Sequence, residues 1–439
     1  IRQVGRILTD IEKEYIKHDV QIVALALNNF FEQGLNKITI GSNALTDYKE
    51  IIGKKKFEKY FPSPSYDHDI RLAYKGGFTY VSPYFKNKNL KNGIVLDVNS
   101  LYPSVMYYNN LPYGCGMYFE GEYEHDELYN IYVQHLTCQF EIKPDHIPSI
   151  QLKHNLSFIE TEYLTDSGGD DVELWLTSTD WKLMQEQYNI YNIDFIDGWK
   201  FRSTNTLFKE YIDKWIKIKI ESTENGNNAM RQIAKLMLNS LYGKFALNPE
   251  IQSKIPYFEN NIVKYKLGPK EFRPPIYIPV GAFITAGARY KTITSAQSVY
   301  KRFAYADTDS LHLIGTEEPN NLDISSIKLG AWKHESTFKR AKFIRQKSYI
   351  EDEYINEKEY LDYITKTETH EPDFHAHIEG KDFLYQKITC AGMPASCYQH
   401  VTWDNFTVGS SYEGKLQPVV VNGGVILKER EFTIKGRKK

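Results

Sequence analysis

The sequence predicts an α+β fold. Long amphipathic helices stand apart, short apolar strands cluster elsewhere, and the two do not alternate with the regularity of a doubly wound sheet. A length of 439 residues leaves room for roughly three domains. Hydrophobic residues at 41% and charged residues at 25% exclude a disordered or collagen-like chain.

The elements follow in chain order. From Ile11 to Gly34, residues Ile16, Val20, Val23, Leu27 and Phe31 recur at helical spacing, and Gly34 supplies a stop. A second helix runs from about Thr206 to Glu221, with Leu207, Tyr211, Trp215 and Ile218 on one face. Glu224 to Asn228 is a polar turn, and a third helix extends from about Ala229 to Ala246. Between Pro249 and Pro279, the breakers Pro256, Gly268, Pro269, Pro274 and Pro275 read as an inserted hairpin or loop. Asn422-Gly423-Gly424 separates two β-rich runs, which predicts a C-terminal hairpin.

Lys plus Arg is 54 and Asp plus Glu is 56, a net charge of −2 that hides segregation. Basic residues crowd Lys328 to Lys347, whereas acids crowd Glu353 to Asp373. A basic stripe suits a polyanion, but an ordinary solvated face has the same composition, and charge alone does not choose. No apolar run approaches the ~20 residues of a membrane span, and no signal segment opens the chain. The start at Ile1 suggests a cut or processed chain. Cys115, Cys138, Cys390 and Cys397 form no CxxC pair, so neither a disulfide framework nor a zinc ribbon is expected and a cytosolic compartment fits best.

Three segments place chemistry where a fold alone does not require it. In Gly93-IVLDVNSLYPSVM, Asp97 ends a buried-strand pattern, a costly position unless the carboxylate is paired, metal-bound or capping the next helix. In Phe303-AYADTDSLHLI, Asp307 and Asp309 sit at i and i+2 of a hairpin and are expected to lean to one side. Two carboxylates ~5 Å apart repel by roughly 3 kcal/mol at an effective dielectric near 20, so a divalent ion such as Mg²⁺ between them is the natural partner. A DxD turn also occurs in sugar transferases and in plain loops. In the helix Met230-RQIAKLMLNSLYGKF, Gln232, Lys235, Asn239 and Tyr242 share one face, Leu236, Leu238 and Leu241 can face the core, and Arg231, Lys235 and Lys219 offer cations. Triphosphate binding needs several cations on a rigid element and an aromatic to stack on the base.

These residues carry a resemblance. LDVNSLYPS, KLMLNSLYG and YADTDS are similar to motifs A, B and C of family B DNA polymerases, and the match is to the protein-primed branch, of the phage phi29 type. Tyr74-KGGF resembles the YxGG segment of that family, Thr285-AGAR its TxxGR-like motif with Ala288 in the glycine position, and Lys347-SY its KxY motif. The resemblance implies a right-hand polymerase, with a palm carrying an antiparallel sheet, helical fingers and a small thumb. It implies two Mg²⁺, with Mn²⁺ able to substitute, and dNTP substrates. Asp97, Asp307 and Asp309 would be catalytic, with Asp97, the Val98 carbonyl and Asp309 as metal ligands. Lys219, Arg231 and Lys235 would hold the triphosphate, Asn239 and Tyr242 the nascent pair, and Tyr102 would exclude a ribose 2′-hydroxyl. Tyr74, Gly76, Gly77, Ser240, Gly243, Thr285, Arg289, Lys347 and Tyr349 would contact DNA.

The same resemblance implies an organisation. Residues 1–40 would be a remnant of an exonuclease domain, 41–147 the first palm part, and 148–204 an insertion contacting the priming protein. Residues 205–248 would be fingers, 249–275 an insertion for strand displacement, 276–392 the second palm part, and 393–439 the thumb. Tyr15 and Asp19 match the late YxxxD of the exonuclease. Asp10-Ile-Glu12 imitates its DxE in letters only, so the site would need about 150 upstream residues or a second chain, and 3′–5′ exonuclease activity is not expected from this chain alone. Expected partners are primer–template DNA and a terminal protein, with no membrane contact and a monomeric state, in the cytoplasm of a phage-infected bacterium. Two other classes remain: a carboxylate-metal nuclease, which has no need of a triphosphate helix, and an inactive DNA-binding subunit, which has no need of three acids. His375-Ala-His377 near Asp373 is set aside as a surface loop, and Asn155-Leu-Ser157 and Asn405-Phe-Thr407 as idle glycosylation sequons.

Overall fold

A computed structural model describes residues 7–152, 162–260, 262–365, 375–421 and 424–436. Asp373, the Asn155 sequon and the turn at Asn422 and Gly423 therefore lie outside the described residues. The chain forms two compact units, each assembled from separated stretches of sequence.

The first unit takes residues 1–63, 210–276 and 416–430. Its helix Asp10–Glu32 opens on a capping box in which Thr9 and Glu12 exchange hydrogen bonds, and Gly34 at φ +74° follows its end. Helices Ile40–Ile52, Lys209–Glu224 and Asn228–Phe245 bury Tyr48, Tyr211 and Phe245 together with Phe57 and Phe61. The rings meet edge to face, Tyr48 on Tyr211 at 5.8 Å and Phe61 on Phe245 at 4.9 Å. All three helices read from periodicity are present. The breaker-rich stretch is a hairpin of Glu250–Glu259 and Ile262–Phe272, which adds the tail strands Ser411–Val421 and Gly424–Thr433 to make a four-stranded sheet. Ile262 pairs with Val419 across that junction.

The second unit takes residues 64–209, 277–415 and 431–439. Its eight-stranded antiparallel sheet runs in the order Thr79–Val81, Phe303–Asp307, Ser310–Ile314, Leu90–Val98, Trp332–Arg345, Ser348–Tyr354, Asp382–Cys390 and Ala376–Glu379. Helix Ile278–Ser298, buried almost all round, packs against the strands Phe303–Asp307 and Ser310–Ile314 and against helix Leu101–Tyr108. A four-stranded sheet orders Leu111–Glu120, Tyr188–Thr204, Ile131–Ile142 and Val172–Thr177.

Structural elements run across two of the expected boundaries. The strand Ile131–Ile142 pairs with Val172–Thr177 and Tyr188–Thr204, so the small sheet draws strands from both sides of residue 148. The expected thumb, residues 393–439, is divided between the units. Cys397, Val401, Phe406 and Ile434 join a core with Ile344, Ile350 and Ile388 of the large sheet.

Candidate active site

Register brings the acids together. Strand Ser310–Ile314 lies beside Leu90–Val98 with Ser310 opposite Asp97, and Asp307 is opposite Ser310 in the next pair. The Val98 N–H donates to the Asp309 carbonyl at 2.8 Å. Asp97 thus stands in a strand three residues before the helix-capping position, Ser100, and does not cap the helix. Asp309 is in the turn itself, which corrects the expectation that strand alternation sets its direction. Thr308 has φ +60°, a conformation that costs a β-branched residue energy, and it is pinned from both ends. Its N–H donates to Phe78 O at 2.6 Å, and its carbonyl accepts from Thr292 Oγ1 at 2.7 Å.

Asp97, Asp307, Asp309, Lys347 and Tyr349 line one open pocket. Lys347 sits at a strand turn with φ +53°, and its Nζ lies 2.7 and 3.0 Å from the Asp307 oxygens. Its N–H donates to Tyr305 Oη at 3.0 Å, and that hydroxyl lies 3.3 Å from Asp307 Oδ2. Thr79 Oγ1 donates to Asp307 Oδ1 at 3.2 Å. Burial, and next the nearby Glu351, push the Tyr349 phenol up to about 12. The pocket lining gathers the carboxylates of Asp97, Asp307, Asp309 and Glu335, oxygen donors that suit a hard cation such as Mg²⁺. Asp307, tied to Lys347, has its charge already balanced.

The Tyr74-KGGF loop packs on this hairpin. A Cβ at Gly77 would stand 2.9 Å from Thr308 Cγ2 and Oγ1 and 3.1 Å from Tyr102 Oη, so only glycine lets the loop pass there. Tyr102 occupies the second position of helix Leu101–Tyr108 and is half-buried, as is Tyr74, whereas Gly76 is exposed. Thr285 and Arg289 are corrected. Thr285 is buried, its hydroxyl bonding back to Gly281 O and Ala282 O. Arg289 is 2% exposed. It forks onto Asp180 at 2.7, 2.8 and 3.2 Å and donates to Lys75 O and Gly76 O at 2.8 and 2.9 Å. It positions the glycine loop and has no face left for DNA. Sequence reasoning missed Asp180; its Thr177 cap pattern was visible, but a partner 109 residues away was not.

In the other unit, helix Asn228–Phe245 exposes Arg231, Lys235 and Asn239 and half-buries Ser240, Tyr242 and Gly243. Lys219 is half-buried on Lys209–Glu224. Met237 takes the core place expected of Leu236, which is 39% exposed. Tyr15 and Asp19 are exposed on helix Asp10–Glu32.

Much of the basic stretch is already paired or buried. Lys333 meets Glu335 at 2.7 Å, Lys339 meets Asp382 at 2.8 Å, Arg340 pairs with Asp352, and Lys342 and Arg345 are buried. His377 does find companions that sequence did not reveal. Its ring, Asp352 and Glu379 bring ligand atoms within 4.8 Å of one another, but Arg340 and Lys339 already pair with the two acids. That group is an ion-pair network.

Comparison with known proteins bears on the whole chain. A family described as DNA polymerase type B, organellar and viral, matches residues 2–327. The DNA polymerase of Bacillus phage phi29 is 48% identical over 439 residues, 99% of this chain and 74% of that protein. That of Streptococcus phage Cp-1 is 32% identical over 434 residues, 96% of this chain and 71% of that protein. Among solved structures, the phi29 polymerase complexed with primer–template DNA and incoming nucleotide substrates superposes with a TM-score of 0.87 at 46% identity, covering 99% of this chain and 74% of that one. The orthorhombic crystal form of the phi29 polymerase gives a TM-score of 0.88 at the same identity and coverage.

Proposed function

We propose that this chain, which belongs to the organellar and viral type B DNA polymerases and is a DNA-directed DNA polymerase, extends primer ends at a two-metal centre and begins synthesis on a protein-borne primer. The observation that carries the two-metal part is the single pocket shared by Asp97, Asp307, Asp309, Lys347 and Tyr349. Protein priming rests on the likeness to the phi29 type, with residues 148–204 as the surface for the priming protein and 249–275 as the element for strand displacement. Primer–template DNA is the partner, as in the solved phi29 complex, and the setting is the cytoplasm of an infected bacterium. No helix among the described residues is long and apolar enough to cross a membrane.

Each residue has a defined task in this reading. Asp97 and Asp309, with the Val98 carbonyl, would hold Mg²⁺, which when bound would stabilise the attacking and leaving oxygens of nucleotidyl transfer. Asp307 fixes the Lys347 ammonium at the mouth of the pocket, and Lys347 and Tyr349 grip the primer end. Tyr102 lies under the sugar and blocks a 2′-hydroxyl. Arg231, Lys235 and Lys219 neutralise the triphosphate while Tyr242 and Asn239 meet the base. Ser240, Gly243, Tyr74, Gly76 and Gly77 follow the template and primer backbones.

Extension of a labelled primed template with dNTPs and Mg²⁺ tests the assignment. Asp309→Asn is nearly isosteric and removes one charge from the metal site, a loss of several kcal/mol and on the order of a thousandfold in rate. A variant that extends primers within a fewfold of the parent removes Asp309 from that role. A nuclease would instead shorten the primer in the same gel.

A further inference from the structure

At the pocket wall lies a histidine–carboxylate pair that none of the tasks above uses. His312 is 1% exposed and Glu351 0%. His312 Nδ1 meets Glu351 Oε1 at 2.7 Å, and Glu351 Oε2 is buried with no hydrogen-bond partner. A buried polar pair in such a place adds little stability over an apolar pair of the same volume, because desolvation offsets the attraction. Its position shows a different use. His312 is on strand Ser310–Ile314 and Glu351 on Ser348–Tyr354, and two strands, Leu90–Val98 and Trp332–Arg345, lie between them in the sheet. Strands three places apart come into contact only because the sheet curls. The same curl brings Tyr305 onto Phe343 at 5.0 Å and Lys347 onto Asp307. The imidazole packs against Tyr305 at 5.2 Å, Phe343 at 5.2 Å and Tyr349 at 5.3 Å.

We propose that His312 and Glu351 are positioning residues: their hydrogen bond sets the curl of the sheet and thereby the distance between the acid-bearing hairpin and the Lys347–Tyr349 turn. The inference rests on the reading of that turn as the primer grip. Apolar contacts hold rings together without fixing a direction or a spacing. A short charge-assisted hydrogen bond fixes both. On one side it ends beside Tyr305, whose hydroxyl touches both the Lys347 N–H and Asp307. On the other it ends two residues from Tyr349. Lys387, opposite Glu351 in the next strand, turns away to Glu353 at 2.9 Å and leaves His312 as the hydrogen-bond partner of the Glu351 carboxylate.

The test measures KM for a labelled primer–template and kcat for single dNTP addition. His312→Phe keeps a ring in the aromatic box but strands the carboxylate. The loss of one charge-assisted hydrogen bond raises the KM for DNA by about tenfold, with kcat at saturating DNA within about threefold. His312→Asn presents a donor at the place of Nδ1 and keeps KM within about twofold of the parent. The double variant His312→Phe/Glu351→Leu buries no charge and recovers thermal stability while KM stays raised. If KM in the double variant returns to the parent value, the pair serves packing alone and the proposal is overturned. A parent-like KM in His312→Phe also overturns it. Tyr349→Ala separates the two readings: if it leaves KM unchanged, the primer-grip assignment fails and takes this inference with it. If it raises KM while the His312 variants do not, only the positioning role falls.

Discussion

Replacing Arg289 with methionine tests whether this side chain is a strut or a DNA contact. The guanidinium is 2% exposed and meets Asp180 at three distances between 2.7 and 3.2 Å. Two further bonds, 2.8 and 2.9 Å, hold the carbonyls of Lys75 and Gly76. Methionine fills most of the volume and supplies none of the five contacts. Breaking a buried pair from one side costs about 3–5 kcal/mol, because the remaining carboxylate keeps its desolvation penalty. The two stranded carbonyls bring the expected loss to the top of that range. Lysine restores the charge but not the fork, so Arg289→Lys should lose about half as much. Arg289→Met/Asp180→Leu, with no charge left buried, should come back to within about 2 kcal/mol of the parent. Equilibrium urea denaturation reads all three. A stability loss under 1 kcal/mol in Arg289→Met, accompanied by loss of DNA affinity, would show that the guanidinium faces nucleic acid and that the strut argument is wrong.

Three other outcomes follow from the site. Tyr102→Val should raise ribonucleotide incorporation more than it lowers dNTP use, read as the ratio of the two kcat/KM values; an unchanged ratio takes Tyr102 out of the discrimination. Gly77→Ala places a methyl 2.9 Å from Thr308 and 3.1 Å from Tyr102 Oη. Such crowding should cost about 1–3 kcal/mol of stability and reduce extension, whereas Gly76→Ala, where a Cβ meets nothing within 4 Å, should do neither through crowding. The phenols of Tyr66, Tyr80 and Tyr349 are each held at about 12 by burial, against an ordinary 10.0. A raised folded pKa means stability that is complete below pH 10 and is lost as pH climbs from 10 to 12, when the unfolded chain ionises and the folded one resists. Melting temperatures recorded across that interval should fall steeply, and a flat profile contradicts the burial of these rings.

Legibility in the sequence tracked how local each signal was. The amphipathic helices and the proline-rich hairpin showed because periodicity and breakers act within a few residues. Helix Ile278–Ser298 went unread apart from its Thr285–Arg289 motif, since a helix buried on nearly every side has no polar face to mark its period. Asp97 stood out because a carboxylate ending an apolar strand is expensive, and Asp307 and Asp309 because two neighbouring acids repel without a cation. Partners remote along the chain were invisible. The Arg289–Asp180 fork, the His312–Glu351 bond and the neighbours of His377 all depend on which distant elements meet, and no local pattern encodes that. The fate of the basic stretch was hidden for the same reason, Lys339 and Arg340 being paired with Asp382 and Asp352 of other strands.

The pairing of Ile262 with Val419 also sets a schedule for synthesis. A ribosome makes the hairpin Glu250–Glu259 and Ile262–Phe272 well before it reaches Ser411–Val421 and Gly424–Thr433. Until those last strands emerge, one edge of the hairpin has open N–H and C=O groups, the kind of edge that recruits stray strands. Both units draw on residues beyond 415, so neither is finished until those residues have emerged. Folding that waits on pairings so distant in sequence is slow, and nascent chains stalled short of residue 411 should aggregate through that hairpin.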